Sequence, residues 1–260
     1  MKIVIFTVND SEYIPNLLDP ILSERSQDIK YVFISKTLFS FKKFNRNFKF
    51  FLLNLYPFCI SKRDLFLFFI KKLKFTFDKV FRSNPKYDLK KFLYSKGIKF
   101  NYVEKINEEQ FLKKIRKIEP DIILFAVFDK IAKKELIEIP KIGTFNLHLG
   151  PLPSYKGGLS AFWLLRFKEK YAGASIHKVT EKIDEGDLID ETKFLIKTNS
   201  MCELMKENIN IASIMLPSII SKINSEKYKI IDTSKRKSNY YLFPTFNDFR
   251  HFYRNGSKLI

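Results

Sequence analysis

Cysteine, glycine and acidic residues are all scarce in this chain, and each shortage narrows what it can be. Cys59 and Cys202 are the two cysteines among 260 residues. Thiols so far apart make neither a zinc cluster nor a disulfide framework, so no metal is expected and a reduced, cytoplasmic pair is. None of the eight glycines falls in FTVNDSEYIP, residues 6–15 behind the first apolar run. That excludes a glycine-rich phosphate loop at this position. Apolar runs of roughly 18 residues are missing, which excludes a membrane-spanning helix. The run Ile3–Thr7 is too short for a signal-peptide core and reads as a first strand. Acid is outnumbered, 28 Asp and Glu against 47 Lys and Arg, for a net charge of +19. Such an excess implies anionic company, whether phosphates, nucleotides, nucleic acid or an acidic membrane face, or else a coding bias toward lysine.

What is present alternates between strand-like and helix-like segments. KIVIFT, YVFIS (31–35), KFNYV (99–103), DIILFAV (121–127) and GTFNLH (143–148) read as strands. In NEEQFLKKIRKIEP, Phe111, Leu112, Ile115 and Ile118 repeat at helical spacing and Pro120 ends the run. ASIHKV (174–179), LIDETKFLI (188–196) and a helix through about 201–224 follow. This order predicts an α/β fold, a Rossmann-like, mostly parallel sheet flanked by helices. DIILFAV, apolar throughout, suits a central strand covered on both faces. The expected organisation is a catalytic domain over 1–198 and a C-terminal helix with a basic aromatic tail over 199–260.

The segment 38–80 interrupts the alternation. Residues 38–90 hold thirteen Lys and Arg against three Asp, more than half of the net charge, interleaved with phenylalanine. Phe41, Phe44, Phe48 and Phe51 fall on one helical face with Lys42, Lys43, Arg46 and Lys49 between them. A basic helical insertion is expected here, either solvated core helices or an element that docks on an anionic membrane surface. Nucleic-acid contact is disfavoured by the want of an RNA-binding motif.

One segment carries chemistry. A strand ending in Asn146-x-His148 sends both side chains to one face at the carboxyl edge of the sheet. An amide donor beside an imidazole is what acyl transfer uses, one for a developing oxyanion and the other for a proton. By spacing alone, the same pair is more often a satisfied structural contact. TEKIDEGD offers Asp184 and Asp187 as carboxylates that could return to this edge. His177, on the strand ASIHKV, reads first as a structural histidine and second as one that lines the site, and His251 carries no signal.

NLHLGPLPSYKGG followed by IHKVTEKIDEGDLI resembles the folate-dependent formyltransferase family, specifically over about 121–190. The resemblance implies the formyltransferase fold and a catalytic trio of Asn146, His148 and Asp184, with Asp187 structural. It implies 10-formyltetrahydrofolate as the cofactor, held by Phe128, Lys130 and Ile131 on one side and by Val179, Thr180 and Ile183 on the other. Tyr155, Lys156 and Gly157, in a loop with rigid prolines and permissive glycines, would border the acceptor. Of the family's acceptors, glycinamide ribonucleotide is disfavoured by the missing glycine loop. Methionyl-tRNA is disfavoured by the short C-terminal stretch, although the charge keeps it as the alternative. A nucleotide-linked amino sugar, used in surface glycan (lipopolysaccharide) biosynthesis, is the expected partner. The enzyme is expected in the cytoplasm, either free or peripheral to the inner membrane, with YYLFPTF as a place for a homodimer contact. A non-catalytic scaffold on membrane or nucleic acid is the reading from another class.

Overall fold

Strand β1 (Ile3–Val8) shows how the core is divided, since all six of its residues are buried. Ile3 and Ile5 join one apolar cluster while Val4 and Phe6 join another. Successive strand side chains point to opposite faces, so a strand apolar at every position must be covered on both. The structure, a computed structural model, describes residues 1–35, 70, 88–225 and 227–260. The expected basic helices of 38–80, Ile70 apart, lie outside the described residues.

Helix α1 (Ile14–Arg25), strand β2 (Ile29–Ser35), helix α2 (Leu89–Ser95), strand β3 (Phe100–Val103) and helix α3 (Glu109–Ile118) come first. Strand β4 (Ile122–Ala126), the short helix α4 (Lys134–Ile137) and strand β5 (Gly143–His148) follow. Next are β6 (Lys156–Gly157), helix α5 (Ser160–Arg166), β7 (Tyr171–Ala172), β8 (Ser175–Lys178), β9 (Leu188–Glu191) and β10 (Phe194–Leu195). The chain continues through the long helix α6 (Met201–Asn224), β11 (Tyr240–Tyr241) and helix α7 (Phe246–Arg254). Among the described residues the main sheet has seven strands in the order β3-β2-β1-β4-β5-β8-β9. The first five are parallel to one another, and β8 and β9 run antiparallel. This is the mostly parallel, helix-flanked sheet expected from the alternation.

Residues of α1 and α6 cover the face of Ile3 and Ile5, with Leu17, Ile21, Leu216 and Ile219 fully buried. Leu112 and Ile115 of α3 cover the other face with Val4 and Phe6. The C-terminal stretch is built into these cores: α6 shares the cluster of β1, and α7 packs Phe249 and Phe252 against Phe162 of α5.

Two local details decide the neighbourhood of the site. Asp10 Oδ1 accepts from the Glu12 and Tyr13 N–H groups at 2.7 and 2.9 Å, so a carboxylate holds amides that a phosphate loop would use. The run LIDETKFLI is not one continuous strand but two strands in different sheets. Thr192 sits at the break: its N–H donates to Ala174 O at 2.9 Å, and its carbonyl lies 2.0 Å from where a Cβ on Gly173 would be.

Candidate active site

Strand β5 delivers Asn146 and His148 two residues apart, hence on one face, and β8 lies antiparallel beside it with His177 opposite Asn146. Asn146 Nδ2 is 3.0 Å from His177 Nε2 and 3.3 Å from Asp184 Oδ1. His177 Nδ1 must donate to the Lys178 carbonyl at 2.7 Å, because a carbonyl only accepts, so in the neutral ring Nε2 accepts from Asn146. The same logic sets His148. Its Nε2 donates to the Tyr155 carbonyl at 2.7 Å, which leaves the lone pair on Nδ1, 3.5 Å from Asp184 Oδ2.

Asp184 reaches this edge through a tight return. Its φ is 53°, a left-handed conformation that Asp tolerates better than most residues. A Cβ at Gly186 would sit 1.8 Å from the Lys178 carbonyl, so only glycine lets the loop lie this close to β8. Asp187 is exposed and offers its carbonyl to Lys178 N, which leaves Asp184 as the carboxylate of the site. The Gly157 N–H donates to Asp184 Oδ2 at 2.9 Å. Burial raises the Asp184 carboxyl, but the neighbouring His177 and His148 rings, which favour the carboxylate once protonated, and the Gly157 N–H outweigh it and bring it down to about 2. For His148 burial dominates and lowers the imidazole below its ordinary value, against the opposing pull of Asp184 and the Tyr155 carbonyl.

The result is a buried, ionised carboxylate between two imidazoles, with an amide and a backbone N–H fixed on it. An arrangement of this kind can take a proton at His148 Nδ1 and hold the charge that forms.

A family model described as "Formyl transferase" matches residues 82–219, just over half of the chain. The chain belongs to the formyl transferase family. The bifunctional polymyxin resistance protein ArnA of Wigglesworthia glossinidia brevipalpis is 32 % identical over 165 residues, 63 % of this chain and 25 % of that protein. The methionyl-tRNA formyltransferase of Macrococcus caseolyticus is 27 % identical over 136 residues, 50 % of this chain and 44 % of that protein. The chain thus spans less than half the length of these curated relatives. Among solved structures, the sugar 3N-formyl transferase WlaRD, crystallised with dTDP and 5-N-formyl-THF, aligns with 93 % of this chain and 69 % of its own. The TM-score is 0.57 at 20 % identity. The N-formyltransferase of Helicobacter canadensis, in complex with folinic acid and dTDP-3-aminofucose, aligns over 93 % and 70 % with a TM-score of 0.59 at 18 % identity. At these identities the likeness is one of fold.

The other residues expected of a formyl transferase fall in two groups. Phe128 is half-buried, stacked on Phe125 at 5.3 Å and edge-on to Phe6, and Val179 packs in the same cluster. Lys130 is half-buried and Thr180 is exposed, its hydroxyl turned to the Lys182 carbonyl. Ile131 and Ile183 leave 62 % and 40 % of their surface uncovered. In the loop 151–158 the side chains of Tyr155 and Lys156 are turned onto other partners. The Tyr155 ring is buried on Tyr241 and its hydroxyl donates to Glu169 at 2.6 Å, so Tyr155 meets the site through its carbonyl. Lys156 is buried and paired with Glu185 at 2.7 Å rather than free in the loop. Gly157 serves through its N–H, with φ +93° and a close approach to the Tyr241 carbonyl that a Cβ would block.

His177, which the sequence leaves between a structural histidine and one that lines the site, touches Asn146 and Asp184 directly. Gly150 was missed altogether. A Cβ there would lie 2.9 Å from His148 Nε2, so this glycine keeps room for the ring. The signal for both is cross-strand register and backbone proximity, which no local spacing carries.

Proposed function

We propose that the chain transfers a formyl group from 10-formyltetrahydrofolate to the amine of a nucleotide-linked amino sugar. The observation that carries the reading is His148 held between the Tyr155 carbonyl and the Asp184 carboxylate, beside Asn146. The fold likeness over 93 % of the chain to sugar formyltransferases supports the acceptor class. The donor's planar ring system needs apolar walls. Phe128 and Val179 supply them, and uncovered Ile183 beside Asp184 and uncovered Ile131 after the β4 loop suit the same role. Bound there, the donor supplies the formyl carbon.

The side chains of the site do the rest. His148 is the base: burial keeps it neutral, and Tyr155 places its lone pair on Nδ1. Nδ1 accepts the proton released as the acceptor amine bonds to the formyl carbon. Asp184, already ionised, holds the imidazolium, which returns that proton to the nitrogen leaving the formyl carbon. Both Asn146 N–H groups are engaged, so the longer bond, 3.3 Å to Asp184, is the one exchanged for the negative charge growing on the formyl oxygen.

Turnover with 10-formyltetrahydrofolate across 3-amino and 4-amino sugar nucleotides, with methionyl-tRNA alongside, tests this. One sugar nucleotide is expected to react, and His148→Ala to lower its kcat/KM by about 10²–10⁴-fold with an unchanged circular dichroism spectrum. Formylation of methionyl-tRNA alone would overturn the acceptor.

A further inference from the structure

The C-terminal ends of α5 and α7 meet around a cavity of about 460 Å³, lined by Arg166, Phe167, Lys168, His251, Arg254 and Asn255. No lining residue is acidic. Cations at helix C-termini commonly serve the terminal carbonyls. Here other groups do: Asn255 Nδ2 donates to Leu165 O and Arg166 O at 3.0 Å, and Ser257 Oγ reaches Leu165 O at 3.4 Å. Among the described residues Arg166, Lys168 and Arg254 have no ion-pair partner. Arg166 Nε is buried with no acceptor, a desolvated donor that an anion would satisfy. The guanidinium is braced by the Phe167 ring at 5.4 Å. Lys168 holds φ 55°, at the position after the helix where glycine is usual.

We propose that this cavity binds a phosphate or diphosphate group, a site separate from the catalytic trio. Two guanidinium groups and a lysine supply donors for the oxygens of a tetrahedral dianion, and Arg suits such recognition because its planar donors are pre-arranged. The ligand is a phosphorylated small molecule, with free pyrophosphate and a nucleoside diphosphate sharing the required chemistry.

The chain's single tryptophan, Trp163, stacks on Phe167 at 5.8 Å and is a built-in reporter. Titration of the full chain with inorganic pyrophosphate, and separately with dTDP, at 0.15 M salt is expected to give a saturable change in its fluorescence. The double variant R166Q/R254Q is expected to raise the Kd at least tenfold while keeping the wild-type circular dichroism spectrum. The control K178Q/K229Q, at a second basic cavity lined by Lys141, Lys178 and Lys229, is expected to leave it unchanged. Binding of dTDP tenfold tighter than pyrophosphate assigns the site to a nucleotide; equal affinities assign it to the free anion. No saturable signal up to millimolar ligand overturns the proposal. So does equal weakening by both double variants, since that is diffuse attraction to a chain of charge +19.

Discussion

Asp184 accepts from donors on two separate segments, Asn146 Nδ2 on β5 and the Gly157 N–H, with the rings of His148 and His177 at 3.5 and 3.4 Å. Its carboxyl lies at about 2, below the unfolded value near 4, so the folded state binds its proton less readily. That difference stabilises the fold above the ordinary carboxylate range and is lost as pH falls through about 2. Asp184→Asn should therefore remove on the order of 2 kcal/mol at pH 7 and much less at pH 2, as urea titrations at both values would report. The imidazole of His148 is displaced the same way by burial. Its proton-accepting form persists into mild acid, so the acid limb of kcat should fall below about pH 6.5. A limb at or above that value would contradict His148 as the base. Alternation along one strand made Asn146 and His148 legible as a pair. Nothing in the spacing marked His177, because its contact arises from the register between two antiparallel strands.

At the scale of elements, the site depends on loops that press against strands. Gly150, Gly157 and Gly186 each approach a neighbour so closely that a Cβ would collide, with His148, the Tyr241 carbonyl and the Lys178 carbonyl respectively. Gly150→Ala places its methyl 2.9 Å from both His148 Nε2 and Ser160 Cβ. The ring must then turn from the Tyr155 carbonyl. A tenfold or greater loss of kcat is expected, with a stability cost of about 1–3 kcal/mol from overpacking. Steady-state kinetics beside thermal unfolding would separate the two effects. The strands and α3 were legible because apolar period and Pro120 mark them. The split of LIDETKFLI was not, since Thr192 and Gly173 are close only in space.

For the whole molecule, α6 is the chief covering of one sheet face and packs on α1. Leu216 and Ile219 are fully buried there. Leu216→Ala should cost about 2–5 kcal/mol by opening a cavity, read as a lower urea midpoint at unchanged slope. The helix supplies no group to the trio, so activity per folded molecule should hold. Net charge belongs to this scale too. Much of the +19 lies in 38–90, while the cavity between α5 and α7 gathers its cations from segments some eighty residues apart.

Local sequence determined the class of the fold, the order of its strands and helices, and the pair on β5, because period and punctuation act within a few residues of chain. Tertiary structure decided what those groups face. It put His177 beside Asn146, set the Gly157 N–H on Asp184, and turned the side chains of Tyr155 and Lys156 onto Glu169 and Glu185. The reason is geometric: strand register and close backbone approach are set by the packing of distant segments, and no local pattern encodes them.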